Sequence, residues 1–380
     1  MTNPQDIATH VPARELKAPF PYFGGKSKIA QQVWGRLGNP DVYVEPFAGS
    51  MAVLLARPTN HAWWQRKETV NDASGHIVNF YRAVTASPKD VALFANWPVS
   101  ELDLTARHLV LTERQQALAQ RLSEDPAYFD AEMAGWWVWG ISSWVGGEWC
   151  SGLGPWRRGA DAPGVYRKMP MAAAAHSGKG VHRALSGTPE KWLFESVPDL
   201  DHQVLTRMVE EFEAIAQRLR RVRILCGDWK RVTKSVVGPT RSGVTGVFLD
   251  PPYALSERRA NLYGPADRSK AKGSAKETPQ ARDIHEESRE WALLIGSNPQ
   301  FRVAYCSYKL EEETALFESA GWRSLDWTAA GGYGLQAANR ARSNREREVI
   351  WFSPHCLSDK DVMDDCVGQA NATGTRSEHE

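Results

Sequence analysis

The 380-residue sequence has almost no net charge: 46 Lys and Arg stand against 45 Asp and Glu. Net charge therefore points to no acidic or basic partner, and any steering field must come from local clusters. Cysteine is scarce. Cys150, Cys226, Cys306, Cys356 and Cys366 form an odd set without Cys-x-x-Cys spacing, which argues against both a disulfide framework and a zinc site. A reducing compartment fits. The first 30 residues lack an apolar signal core, and no stretch approaches the roughly 18 apolar residues of a membrane span. A soluble, intracellular protein is expected. No internal repeat is visible, and the Gly24-Gly25-Lys26 segment lacks Walker spacing, so a nucleotide triphosphate is not the expected ligand.

The length suits roughly two domains with a proper core. Residues 1–17 and 357–380 are polar and are expected to be disordered. Between them, strand-like runs end at positions suited to ligands: DVYVEPF (41–47), ETVND (68–72), VRILCGD (222–228), GVFLD (246–250) and FRVAYCSY (301–308). The spacing predicts a helix over 204–221, where Leu205, Val209, Phe212, Ile215, Ala216 and Leu219 share one face. Alternating strands and helices imply an α/β fold, a doubly wound and mostly parallel sheet with helices on both faces. Residues 100–195 break that rhythm, being first polar and helical, then rich in tryptophan, then glycine-rich and basic. They are read as a smaller, mainly helical inserted domain dividing an 18–99 half from a 196–356 half. A basic loop, 254–282, interrupts the second half.

The stretch GVFLDPPYA (246–254) runs from an apolar strand into an acid, two prolines and a tyrosine. Pro251 and Pro252 cannot donate to a ladder, so the sheet must stop there. In an open parallel sheet, ligands bind at the carboxyl ends of strands, and a rigid elbow would deliver Asp250 and Tyr253 to that edge. A strand closed by a proline turn accounts for the same residues. In YVEPFAGSMAVLL (43–55), small residues after Glu45 and Pro46 open a helix, which suits either a ligand approaching backbone amides or an ordinary strand-to-helix turn. Asp72 ends the next strand, at about the spacing used to reach ribose hydroxyls; it serves equally as a helix cap before Ser74.

Together these pieces resemble the DNA adenine methylase (Dam-like) family of S-adenosylmethionine-dependent methyltransferases. The match follows the family's α-type order: the aromatic-GGK segment Tyr22 to Lys26, the EPFAG loop Glu45 to Gly49, Asp72, a target-recognition region, then DPPY at Asp250 to Tyr253. It spans about residues 19–353 and ends in RARSNREREVIWFS (340–353), which looks like the family's closing strand. The resemblance implies a Rossmann-like class I methyltransferase fold in which 100–195 is the target-recognition domain. It puts Tyr22, Lys26, Asp72 and Asp250 in contact with S-adenosylmethionine, with Glu45, Phe47, Gly49 and Asp228 as neighbours, and needs no metal. Asp250, Pro251, Pro252 and Tyr253 become the catalytic elbow for the exocyclic amino group of an adenine flipped out of double-stranded DNA. Two departures stand out. Met51 follows Ser50 where many relatives carry a second glycine, and Tyr22 and Phe23 replace a tryptophan and a small residue.

For DNA contact the sequence offers Arg157 and Arg158 after six tryptophans (136, 137, 139, 144, 149 and 156), and Arg258 and Arg259 in a segment of six basic residues against Asp267 alone. Trp136, Trp137 and Trp139 read equally as the core of a buried helix, and the basic segments as solvated loops. The family further implies a bacterial or phage enzyme in the host cytoplasm. A monomer in solution is expected, and a restriction endonuclease is a candidate counterpart. A cytosine exocyclic-amino methyltransferase and a catalytically silent DNA-binding relative are the alternatives.

Overall fold

The computed structural model describes residues 16–22, 25–58, 66–144, 149–150, 180–182, 200–236, 243–252, 279–327 and 348–358. Seven strands form one sheet: β1 (Val42–Glu45), β2 (Lys67–Asp72), β3 (Val222–Cys226), β4 (Thr245–Leu249), β5 (Phe301–Tyr308), β6 (Arg323–Asp326) and β7 (Glu348–Phe352), in the order β3-β2-β1-β4-β5-β7-β6. β3, β2, β1, β4 and β5 are mutually parallel, and β7 runs antiparallel to both β5 and β6. The order reverses between β1 and β4, which opens a crevice at their carboxyl ends.

β1, β4 and β7 are buried at every position because helices cover both faces of the sheet. Alternate side chains feed two apolar clusters. Tyr43, Phe248, Cys306, Ile350 and Phe352 enter one, while Val42, Val44, Val247, Leu249, Tyr305, Val349 and Trp351 enter the other. The first face carries α1 (Ala30–Leu37), α2 (Ala52–Leu55), α3 (Gly75–Ala86) and α7 (Leu200–Leu219). The second carries α8 (Lys230–Val236), α9 (Pro279–Gly296) and α10 (Glu311–Ser319) through Val232, Ala292, Ile295 and Phe317.

α4 (Pro88–Ala95), α5 (Glu101–Glu124) and α6 (Ala131–Ser143) form a further layer over α3 and α7. Ser100 and Asp130 cap α5 and α6 by accepting from the N–H groups of Asp103 and Met133. The first apolar cluster continues across residue 100 into this layer, taking in Leu104, Leu111, Met133, Trp137 and Trp139. Trp137, Trp139, Trp144 and Trp149 are thus core residues, and Trp139 Nε1 donates to the Trp97 carbonyl. Among the described residues no helix is long and apolar enough to cross a membrane.

A buried charge network ties β2 to three other segments. Glu68 accepts from Arg57 at 3.0 Å and, in a bidentate pair, from Arg218 of α7 at 2.6 and 2.8 Å. Arg57 also donates to Asn39 and to the Pro40 carbonyl just before β1. Removing the acid leaves two guanidinium groups facing each other without a counter-charge. Glu68→Ala is therefore expected to lower stability by about 3–5 kcal/mol; a urea denaturation loss below about 1 kcal/mol would contradict a structural role for the network.

Candidate active site

The site is assembled where β1, β2, β3 and β4 end. Pro46 stops the β1 ladder, and the following turn places Gly49 at φ +47. A Cβ at Gly49 would lie 2.7 Å from ring carbons of Tyr22, so only glycine lets that ring lie across the turn. The turn is laced to its neighbours. Ala48 N–H donates to the Asn71 carbonyl at 2.9 Å, Gly49 N–H to Asp72 Oδ2 at 2.9 Å, and Gly227 N–H to the Asp72 carbonyl at 3.0 Å. Asn71 Nδ2 donates to the carbonyls of both Pro46 and Gly227 at 3.0 Å.

Asp72 lies beside the α3 cap, and both of its carboxylate oxygens accept from backbone N–H groups. One oxygen braces the Gly49 turn, and the other accepts from Ser74 N–H at 2.8 Å, next to the Ser74 hydroxyl that caps α3. Burial raises its pKa above the ordinary carboxylate value. Asp228 is exposed and accepts from Lys230 N–H at 2.8 Å as α8 begins, while its neighbour Trp229 packs on Phe47 with ring centroids 5.7 Å apart.

Glu45 is buried at the end of β1. It accepts from the Tyr43 hydroxyl at 2.9 Å and from the Leu54 N–H in α2. Burial pushes its carboxyl up to about 8, opposed by the Tyr43 hydrogen bond and reinforced by the charge of Asp250. Tyr81 in α3 is wholly buried, and its hydroxyl, which feels the charges of Glu45 and Asp72, has no hydrogen-bond partner among the described residues. Asn71 Oδ1 is orphaned in the same way.

Across the crevice, Asp250 follows β4 directly. Lys26 Nζ donates to Asp250 Oδ2 at 2.8 Å and lies 5.2 Å from the centre of the Trp327 ring. The lysine side chain is 3% exposed and the aspartate 21%. Burial would favour a neutral lysine, yet the adjacent carboxylate holds its pKa above the ordinary value. Pro251 is buried and Pro252 exposed, as a strand end turning into an open edge requires.

The structure thus brings Tyr22, Lys26, Glu45, Phe47, Gly49, Asp72, Asp228, Asp250, Pro251 and Pro252 to one edge of the sheet. Tyr253, Arg157, Arg158, Arg258 and Arg259 lie outside the described residues, as do Phe23, Gly24, Trp156 and most of the 254–282 loop. Tyr43, Tyr81 and Trp327 belong to the site without any local motif to announce them. Among the described residues no group of three His, Cys, Asp or Glu side chains is placed to hold a metal ion.

Residues 22–103 match the family model described as D12 class N6 adenine-specific DNA methyltransferase. The matched span carries Tyr22, Lys26, the Glu45–Gly49 turn and Asp72. A search of curated proteins finds no match.

Two measurements follow from the geometry. Met51 is buried at φ +52, a left-handed conformation that costs an L side chain about 1–2 kcal/mol. The usual ranking should invert here, Met51→Gly being less destabilising than Met51→Ala by about 1 kcal/mol; a more stable alanine variant would contradict the strained turn. Glu45 binds its proton more tightly folded than unfolded. The Glu45 contribution to stability should therefore be fully present below pH 4.5, be lost as pH rises to about 8, and be absent above. Between pH 4.5 and 8, Glu45→Gln should make stability fall less, or rise more, with pH than in the wild-type protein; identical slopes in the two proteins would contradict the burial of the charge.

Proposed function

We propose that the chain, whose residues 22–103 match the D12 class N6 adenine-specific DNA methyltransferase model, transfers a methyl group from S-adenosylmethionine to the amino group of an adenine swung out of double-stranded DNA, at the Asp250-Pro251-Pro252-Tyr253 elbow. The observation that carries this reading is the delivery of Asp250, held by Lys26, to the switch-point crevice beside the Gly49–Asp72 turn.

The residues at the crevice suit the cofactor. It is a cation with donor hydroxyls on its ribose, and the rim presents the acids Asp72 and Asp250 and the Tyr22 and Phe47 rings, with Glu45, Asn71 Oδ1 and the Tyr81 hydroxyl buried behind them. Asp72 would hold the ribose hydroxyls and Tyr22 an apolar face, with Glu45, Phe47, Gly49 and Asp228 around them. When bound, S-adenosylmethionine supplies an electrophilic methyl group on sulfonium. Lys26 would act in this site through Asp250 rather than as a free ammonium.

An adenine amino nitrogen is a poor nucleophile because its lone pair is delocalised into the ring. Asp250 and the Pro251 carbonyl would accept its two hydrogens and relocalise that pair. With Lys26 holding Oδ2, the Asp250 carboxylate would accept from the amino group and stabilise positive charge as it develops on nitrogen. Extruding the base costs a few kcal/mol, which stacking on Tyr253 would offset by about 1–3 kcal/mol. Arg157, Arg158, Arg258 and Arg259 would serve the phosphates or guanine edges, and 100–195 target recognition.

Asp250→Ala should lower turnover by at least about 10²-fold, measured as tritiated methyl transfer to DNA, with the fold retained by circular dichroism. Turnover close to wild type in the folded variant would remove Asp250 from the chemistry.

A further inference from the structure

Lys26 poses an electrostatic problem. At 2.8 Å its ammonium cancels most of the Asp250 charge on which the proposed chemistry depends. The sheet supplies a second acid on the same face. In β4, Phe248 enters the first apolar cluster while Val247 and Leu249 enter the second, so Asp250 continues the Phe248 face. In β5 that face carries Cys306 and Tyr308, and in β7 it carries Ile350 and Phe352 and hence Glu348. Leu249 pairs with Tyr305, which sets Asp250 opposite Cys306, and Tyr308 pairs with Glu348. Asp250, Cys306 and Glu348 therefore converge at one edge.

Glu348 is 7% exposed, and its carbonyl accepts from Trp327 N–H at 3.3 Å, the residue whose ring faces Lys26 Nζ. Its charge acts on both Lys26 and Cys306, and the Cys306 thiol is hydrogen-bonded with Asp250. One cation thus lies among two acidic side chains.

The geometry points to Glu348 as a positioning residue for methyl transfer: its carboxylate offsets the Lys26 ammonium, so that Lys26 clamps Asp250 without cancelling the charge offered to the reacting amino group. This rests on the reading of Asp250 given above. Neither acid alone suffices. Without Glu348 the Lys26–Asp250 pair is neutral, and without Lys26 the buried Glu348 and the part-exposed Asp250 repel each other.

A double-mutant cycle on the full chain tests it, with turnover, cofactor affinity by calorimetry and melting temperature read for each variant. Glu348→Gln should lower turnover about tenfold or more while leaving cofactor affinity within about twofold of wild type. In the Lys26→Met background the same substitution should change turnover by less than about threefold, because the charge it offsets is gone. Equal losses in both backgrounds, or no loss in the first, would overturn the proposal. A Glu348→Gln protein that unfolds but is restored by Lys26→Met supports the same coupling. Unfolding that Lys26→Met does not repair assigns Glu348 to packing and overturns it. Absence of methyl transfer by the wild-type protein would instead fail the underlying reading of Asp250.

Discussion

The ion pair between Lys26 and Asp250 joins residues 224 positions apart, and it forms only if the sheet closes in one order. Lys26 precedes α1, β1 must lie beside β4, and β4 must end at its prolines before the acid can turn toward the lysine. Burying that pair is costly unless the surroundings supply further partners. Trp327, Cys306 and Glu348 come from the last strands and from the segment after β6, so the carboxyl-terminal half of the chain completes the environment of a residue near its start.

A second set of constraints fixes the other wall of the crevice. Gly49 has no room for a side chain beneath Tyr22, and its N–H is held by Asp72, whose own carbonyl holds Gly227. Three strand ends move as one unit through these bonds. The turn tolerates the left-handed Met51 because the neighbouring strands determine its path, a common way for strain to persist beside a functional site.

Much of this was legible in the sequence because the central strands are buried on both faces. Their apolar runs stand out without alternation, and the acids at their ends lie where a parallel sheet presents ligand positions. The helix expected over 204–221 is observed as Leu200–Leu219, its amphipathic pattern being long and regular. β6 was invisible for the opposite reason. Arg323, Ser324 and Asp326 are exposed on an edge strand, and only pairing with β7 defines it. Trp136, Trp137 and Trp139 admitted two readings until α6 was seen to pack on α3 and α4, which makes the last two core residues. Tyr81 and Glu348 carry no motif, since their relation to Asp72, Glu45 and Lys26 exists only once the layers are stacked. Lys26 shows the same limit: its segment could be recognised, but its partnership with Asp250 could not.

The activity proposed for this crevice is methylation of the amino group of adenine in DNA. The most direct measurement is mass spectrometry of nucleosides from DNA of a methylation-deficient host expressing the chain. The account expects N6-methyladenine to accumulate with the wild-type protein. Accumulation of N4-methylcytosine instead, or DNA without any new methylated base, would contradict it.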